Sequence, residues 1–238
     1  MIASVSAEGD PRSGALVWTD VSLIYPGPPP VAALQPTTLA ITAGSYLAIT
    51  GPSGSGKSTL LNIIGLLDRP TTGTYTIDSH DVQSLSDASL AALRARWFGF
   101  IFQRFHLIPS LSAVENIELG LMYGGVPRRD RSQLARAALA RVGLDHRVEH
   151  RPSELSGGEQ QRVAIARAIV RDQSFLLADE PTGSLDSKTA ETVLDLLDDL
   201  AAEGRGIICV THSDEVAARA TTTITALDGV VSGAVHAL

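Results

Sequence analysis

A glycine-rich loop at residues 51–59, GPSGSGKST, is the first feature of this sequence whose residue types and spacing could do chemistry. It follows the apolar run YLAIT and opens the helical pattern STLLNIIGLL. Glycines at this spacing let successive backbone N–H groups point at one phosphate, and the helix start adds its positive dipole end. The pattern therefore predicts a phosphate-binding loop between a strand and a helix.

Two side chains of this loop have predicted roles of their own. The ammonium of Lys57 neutralises the β and γ phosphates of a nucleotide, and the hydroxyl of Ser58 is offered to Mg²⁺, which binds few protein ligands and keeps several waters. A glycine-rich turn without any ligand is the alternative, and it is rare for a match in this context. The predicted phosphate-binding residues are Gly51, Pro52, Ser53, Gly54, Ser55, Gly56, Lys57, Ser58 and Thr59.

Two acids end a second apolar run, FLLADE at 175–180. Asp179 is placed to hold the magnesium shell, and Glu180 to accept a proton from, or to orient, the water that attacks the γ-phosphate. Taken alone, two acids after an apolar strand more often cap a helix or lie in a solvated turn. Downstream of a phosphate loop, the functional interpretation is favoured.

A third motif, LSGGEQQRVAIARA at 155–168, places Ser156, Gly157 and Gly158 just before a helical pattern and so predicts a second anion-binding helix start. With this motif the chain resembles the ABC-type ATPases from Val17 to Val231, and the motif order and spacing agree. The family usually has glutamine where this chain has Glu159. The resemblance implies a head-to-tail homodimer, inactive as one chain, in which Leu155–Glu159 of one copy closes over the ATP of the other.

Further roles are implied by the resemblance at single positions. Gln103 resembles the glutamine that contacts magnesium, the attacking water and a membrane partner, and His212 resembles the histidine that touches the γ-phosphate. Asp186 in GSLD matches the loop that reaches across the dimer, and Tyr25 is similar in place to the aromatic residue that stacks on adenine. Alone, such residues are more often a surface amide, a core histidine or a packed turn tyrosine. The implied catalytic set is Glu180, His212, Gln103 and Lys57, and the implied magnesium set is Ser58, Gln103 and Asp179.

Within the family, the stretch at 98–123 is most similar to the macrolide-exporter and lipoprotein-release branch of bacterial ABC ATPases. This resemblance implies hydrolysis of ATP to ADP and phosphate, coupled to export or mechanotransmission by a separate membrane permease. Four apolar residues after Gln103 could line the groove for a permease helix or be subdomain core: Phe105, Leu107, Ile108 and Leu111. A regulatory ABC ATPase acting on cell-wall enzymes through a membrane partner, an importer subunit and a soluble DNA-maintenance ATPase remain alternatives. The sequence does not name the substrate.

The composition and charge of the chain favour some of these classes of ATPase over others. The 238 residues carry a net charge of −7, which disfavours broad nucleic-acid binding. The single cysteine, Cys209, forms no intrachain disulfide and fits a reducing cytoplasm. The apolar runs are far shorter than the roughly 20 residues that span a bilayer, and Met1–Arg12 lacks the features of a secretion signal. Together with these features, the resemblance to transporter ATPases implies a peripheral protein on the cytoplasmic face of the cell membrane.

The elements that must position these residues are predicted from their periodicity. Residues 16–24 and 38–42 alternate as antiparallel strands, and the runs YLAIT, WFGFIF, SFLLAD and GIICVT indicate central parallel strands. Residues 187–203 form a helix opened by Asp186. The expected fold is α/β: a P-loop NTPase core with a mainly parallel sheet, an N-terminal antiparallel subdomain and a helical subdomain at about 104–170. Residues 1–14 are expected to be flexible and 15–238 to form one ATPase domain.

Overall fold

Two β-sheets form the framework of residues 14–233, which are the residues that the computed structural model describes. Most of the segment predicted to be flexible, residues 1–13, lies outside the described residues. The strands are β1 (Ala15–Tyr25), β2 (Val31–Thr42), β3 (Tyr46–Thr50), β4 (Thr72–Ile77), β5 (His80–Asp81), β6 (Phe98–Phe102), β7 (Phe175–Asp179), β8 (Gly206–Val210), β9 (Thr222–Leu227) and β10 (Val230–Ser232). The helices are α1 (Lys57–Ile64), α2 (Asp87–Trp97), α3 (Ala113–Tyr123), α4 (Arg128–Arg141), α5 (Gly157–Ile169), α6 (Ser187–Ala202) and α7 (Asp214–Arg219).

A six-stranded sheet in the order β10-β9-β3-β8-β7-β6 lies at the centre, and only its pair β9 and β10 is antiparallel. Alternate residues of β8 enter two separate cores, with Ile207 and Cys209 on one face and Ile208 and Val210 on the other. Burial on both faces requires the near-continuous apolar runs that these strands carry. The predicted central strands are confirmed, and the single cysteine, Cys209, is buried in one of them. β9 was not predicted, because half of its residues are threonines and no continuous apolar run marks the strand.

An antiparallel sheet in the order β2-β1-β4-β5 covers one of these cores. β1 pairs with β2 on one side and with β4 on the other, which confirms the predicted antiparallel opening and extends it by two strands. The indole of Trp18 meets the ring of Tyr75 edge-on at 5.5 Å between ring centroids. Aromatic pairs of this geometry add to the stabilisation that burial gives.

Helices replace strands between β6 and β7. Residues 103–174, all of which the structure describes, contain no strand and carry α3, α4 and α5. Ser112 begins α3 with a reciprocal cap: its backbone N–H donates to the Glu115 carboxylate, and its hydroxyl accepts from the Glu115 N–H. The boundaries of a separate helical subdomain at 104–170 stay a prediction.

Three element boundaries can be compared directly with the predicted ones. α6 begins after Asp186, whose carboxylate accepts from the Thr189 N–H at 3.1 Å, as predicted. α1 was predicted through Leu67 but ends at Ile64, since Leu66 has a φ of +57° that no α-helix allows. Trp97 ends α2 rather than opening β6. None of the helices in residues 14–233 is long and apolar enough to cross a bilayer.

The close contact between β6 and α5 generates a stability prediction. A Cβ on Gly99 would lie 2.3 Å from the Ala168 carbonyl oxygen and 2.8 Å from Leu176 Cδ2. Gly99→Ala should therefore lower the free energy of unfolding by about 1–3 kcal/mol, measured by urea denaturation. Gly120→Ala on α3 is the control, because its Cβ would meet its nearest neighbour at 3.7 Å. That variant should be as stable as the parent or more stable by up to about 1 kcal/mol. Equal stabilities of the two variants would contradict a tight packing of β6 against α5 at Gly99.

Candidate functional site: a cleft at the carboxyl edge of the central sheet

The glycine-rich loop joins the end of β3 to the start of α1, as the sequence predicted. Gly51 has a φ of +140°, and a Cβ there would lie 2.1 Å from the Ala226 carbonyl oxygen. Gly56 has a φ of +97°, and a Cβ there would lie 2.8 Å from the Ala33 carbonyl oxygen. Both positions thus combine a backbone that favours glycine with no room for a side chain. The neighbouring backbone of β2 and β9 fixes the shape of the loop.

The start of α1 leaves its first N–H groups without a side-chain cap. Gly56 is the N-cap residue and offers no side chain, and the first turn contains no acid. Lys57 Nζ donates to the carbonyl oxygens of Gly51 and Pro52 at 2.8 Å each, which holds the ammonium over the loop. Uncapped helix N–H groups beside a fixed cation are suited to bind an anion.

Asp179 lies at the end of β7, two strands away from the loop in the sheet. Burial raises the pKa of this carboxyl, and the charge of Glu180 adds to the rise. A hydrogen bond with the Ser58 hydroxyl and the charge of Lys57 act in the opposite direction. The Ser58 hydroxyl and the Asp179 carboxylate thus lie close together, and both are hard oxygen donors of the kind that Mg²⁺ accepts. No cluster of three or more His, Cys, Asp or Glu side chains suited to a metal occurs among residues 14–233.

Glu180 follows in a strained backbone conformation with a φ of +48°. Its N–H donates to the Val210 carbonyl at 2.9 Å, which ties the turn to β8. Its carboxylate lies 2.6 Å from His212 Nδ1 and 3.4 Å from the Thr211 hydroxyl. The His212 side chain is 72% exposed, whereas the Glu180 side chain is 17% exposed. The pair therefore presents an open imidazole and a sheltered carboxylate.

Gln103 and Tyr25 enter the same cleft from two other directions. Gln103 directly follows β6, and the Ser184 hydroxyl donates to its backbone carbonyl at 3.3 Å. Tyr25 ends β1, is 38% exposed, and donates its hydroxyl to Asp68 Oδ2 at 2.9 Å. The contact with Asp68 thus holds the partly exposed side chain of Tyr25 at the rim of the cleft.

These residues line one cleft of about 1040 Å³, large enough for a nucleotide. The sequence predicted most of its lining, namely Tyr25, Gly51 to Thr59, Gln103, Asp179, Glu180 and His212. It missed six small or turn residues, namely Val31, Ala32, Ala33, Val210, Asp228 and Gly229. The Gly229 N–H donates to the Ser55 carbonyl at 3.2 Å, so the β9–β10 turn supports the loop from behind. The Asp-Gly pair, a strong hairpin signal, is the feature that could have revealed this turn.

The remaining predicted residues do not line this cleft. Ser156 caps α5: its N–H donates to the Glu159 carboxylate, and its hydroxyl oxygen accepts from the Glu159 N–H. Leu155 precedes this pair, and Gly157 and Gly158 lie between its two residues. Asp186 caps the neighbouring α6, and its hydrogen bonds with Thr189 lower its pKa. A Cβ on Gly158 would lie 2.0 Å from Thr189 Cγ2, so the two helix starts touch each other. The structure groups these residues on a second surface.

A family model, curated relatives and solved structures all indicate the same family for this chain. The family model described as ABC transporter matches residues 34–183. The uncharacterized ABC transporter ATP-binding protein YvrO of Bacillus subtilis (strain 168) is 51% identical over 90% of this chain and 94% of its own length. The macrolide export ATP-binding/permease protein MacB of Hyphomonas neptunium is 51% identical over 88% of this chain but only 33% of its own length. The dimeric post-hydrolysis structure of the ATP-binding cassette MJ0796 with ADP and Pi superposes with a TM-score of 0.83 and 39% identity, over 94% of this chain and all of that one.

The family predicted from the three motifs is thereby confirmed, as is the expected α/β fold of its ATPase cassettes. Its members bind ATP, and the solved relatives are dimeric cassettes. The chain belongs to the ABC transporter family and is one of its ATP-binding, ATP-hydrolysing cassettes.

Proposed function

We propose that the chain is the ATPase subunit of a bacterial ABC transporter, that it binds Mg²⁺ and ATP in the cleft described above, and that two copies close around two shared nucleotides. The observation that carries the proposal is the convergence of an anion-binding loop, a Ser58–Asp179 pair and a Glu180–His212 pair in one cleft. Anion binding, cation binding and proton acceptance together are the requirements of phosphoryl transfer to water.

Each part of the nucleotide has a matching part of the cleft. The backbone N–H groups of the loop at 51–59, apart from Pro52, which has none, and the Lys57 ammonium receive the phosphates, and Tyr25 stacks on the adenine. Ser58, Asp179 and the Gln103 side chain hold the magnesium ion. When bound, this ion neutralises phosphate charge. The raised pKa of Asp179 reflects a burial cost that a bound cation would offset.

Hydrolysis needs a base beside the γ-phosphate, and within residues 14–233 the carboxylates on the cleft wall are those of Asp179, Glu180 and Asp228. The Glu180 carboxylate accepts a proton as water attacks phosphorus, the bond to the β-phosphate oxygen breaks, and ADP and phosphate result. His212 holds Glu180 through the 2.6 Å contact and offers its exposed ring edge to the γ-phosphate. Gln103, which follows the neighbouring strand β6, orients the attacking water.

The surface formed by Leu155–Glu159 and Asp186 completes the site in trans. It carries an anion-binding helix start, Ser156–Gly158, that the cleft of its own chain does not use. The solved relatives are described as dimeric. We therefore assign this surface to the ATP held by a second copy.

The membrane partner is proposed from the relatives. MacB and the pyoverdine export protein PvdT are named ATP-binding/permease proteins, and this chain covers about a third of each. A permease on a separate chain, with this subunit on the cytoplasmic face, would make an equivalent export or mechanotransmission assembly. After Gln103, Ile108 is 43% exposed, whereas Phe105, Leu107 and Leu111 are half-buried, and Leu107 packs on the helical core. Ile108 is thus the best placed of the four for a permease contact.

Replacing the loop lysine tests nucleotide binding. Lys57→Ala removes the ammonium from the phosphate site and should lower kcat/KM for ATP about 10²-fold, with weaker binding of a fluorescent ATP analogue. Arg129→Ala is the control, because this cation lies on α4 with 85% of its side chain exposed. Unchanged affinity and turnover in Lys57→Ala would remove the assigned role.

Replacing the proposed base, Glu180, distinguishes the binding of ATP from its hydrolysis. Glu180→Gln keeps the shape of the side chain but cannot accept the proton, so it should bind ATP with parental affinity and lose about 10²- to 10⁴-fold in kcat. Glu149→Gln is the control, since Glu149 is 69% exposed and pairs with Arg136 on the surface. Turnover in Glu180→Gln close to that of this control would end the assignment.

Mixing two inactive variants tests the sharing of sites. Lys57→Ala damages the cleft, and Gly157→Asp places an acid at the surface of the second copy, where a Cβ has an ordinary 3.6 Å contact with Leu185. Each variant should hydrolyse ATP at a few per cent of the parental rate or less, and an equimolar mixture should regain activity, because mixed dimers contain one intact site. Lys57→Ala mixed with itself is the control. A mixture no more active than its components would contradict sharing.

A further inference from the structure

The start of α5 carries an acid where the family usually has an amide. Glu159 Oε2 accepts from the Ser156 N–H at 2.8 Å, and the Glu159 N–H donates to the Ser156 hydroxyl oxygen at 3.2 Å. The hydrogen bond from the Ser156 N–H lowers the pKa of Glu159, with smaller contributions from the Ser156 hydroxyl and Arg147. Glu159 is therefore ionised at neutral pH and contributes a full negative charge to this surface.

Arg147 faces this charge from another element. It ends a short 3₁₀ turn, Asp145–Arg147, and its Nε lies 3.2 Å from Glu159 Oε1. A second nitrogen of its guanidinium contacts His150 Nε2 at 3.0 Å, which leaves the imidazole as the acceptor. The backbone around it is anchored to α3, since the Val148 and His150 carbonyls accept from the first N–H groups of that helix. The guanidinium is thus held in place beside the acid.

The position of the pair matters because of what approaches it in the proposed dimer. The Ser156 hydroxyl oxygen accepts from the Glu159 N–H as a helix cap, and its rotatable proton can be donated to the Glu159 carboxylate or to an arriving phosphate. A triphosphate arriving there would meet the Glu159 carboxylate, whose side chain is 16% exposed, as a like charge close by. Such a juxtaposition disfavours association strongly unless the charge is neutralised. Arg147, 38% exposed, is the cation that contacts this carboxylate among the ion pairs of residues 14–233.

We propose that Arg147 is a positioning residue for the shared site: by pairing with Glu159 it cancels the charge of that acid and fixes the helix cap, so that the ATP of a second copy can dock on the start of α5. This inference rests on the proposed sharing of sites and adds to it a residue outside the three motifs. On this inference, the docking of a second copy's ATP requires Arg147 because residue 159 is an acid. Arg147 would be dispensable for docking if residue 159 were an amide.

A double-mutant cycle tests this dependence. All proteins carry Glu180→Gln to slow hydrolysis, and the dissociation constant of the dimer in Mg-ATP is measured by sedimentation. With Glu159 present, Arg147→Met should raise this constant about tenfold. With Glu159→Gln, which keeps the cap but has no charge, the same change at Arg147 should alter it by less than about twofold. Arg147→Lys, which retains the charge, should recover most of the association.

Salt dependence separates charge from folding. The deficit of Arg147→Met should shrink as NaCl rises from 50 to about 500 mM, since salt screens like charges, whereas a local loss of structure would persist. An equal effect of Arg147→Met beside Glu159 and beside Gln, or a deficit independent of salt, would overturn the inference. If instead the Glu180→Gln parent stays monomeric in Mg-ATP, the proposed sharing of sites fails first, so the two failures are distinguishable.

Discussion

The register across β3, β8 and β7 is the constraint on which the rest of the structure depends. Parallel pairing aligns the ends of these strands, with the Thr211 N–H on the Ile49 carbonyl at 3.1 Å and the Glu180 N–H on the Val210 carbonyl at 2.9 Å. The loop after β3, the acids after β7 and the histidine after β8 therefore leave the sheet at one edge. A shift of one residue in any of these strands would exchange its two buried faces and separate these groups.

The charges collected at this edge explain why the site needs ligands. Asp179 and Glu180 are adjacent acids, and burial together with their mutual repulsion raises the pKa of Asp179, while Lys57 is directed to loop carbonyls rather than to a carboxylate. Such an arrangement is electrostatically incomplete within the chain. A polyanion with a divalent cation would supply the missing partners, and the second surface at α5 and α6 would supply the remaining anion contacts.

The sequence predicts the features that lie in continuous motifs. It does not predict features that depend on backbone contacts or on pairs of residues far apart in the chain. The loop, the acids, the four central strands and the cap of α6 follow from local residue types. The contact of Glu180 with His212 joins residues 32 positions apart, and Arg147 meets Glu159 only because the turn after α4 folds back on α5. The support at Ala33 acts through a backbone carbonyl, which no side-chain pattern records, whereas the turn at Gly229 is marked in the sequence only by its Asp-Gly pair.

The central claim is that each catalytic site contains parts of two chains. The most direct measurement is the specific ATPase activity of the unmodified chain at saturating Mg-ATP, followed as its concentration is lowered through the range in which sedimentation shows dissociation. We expect the specific activity to fall in step with the dimer fraction and to approach zero for the monomer. A specific activity that stays constant in the monomeric range would contradict shared sites.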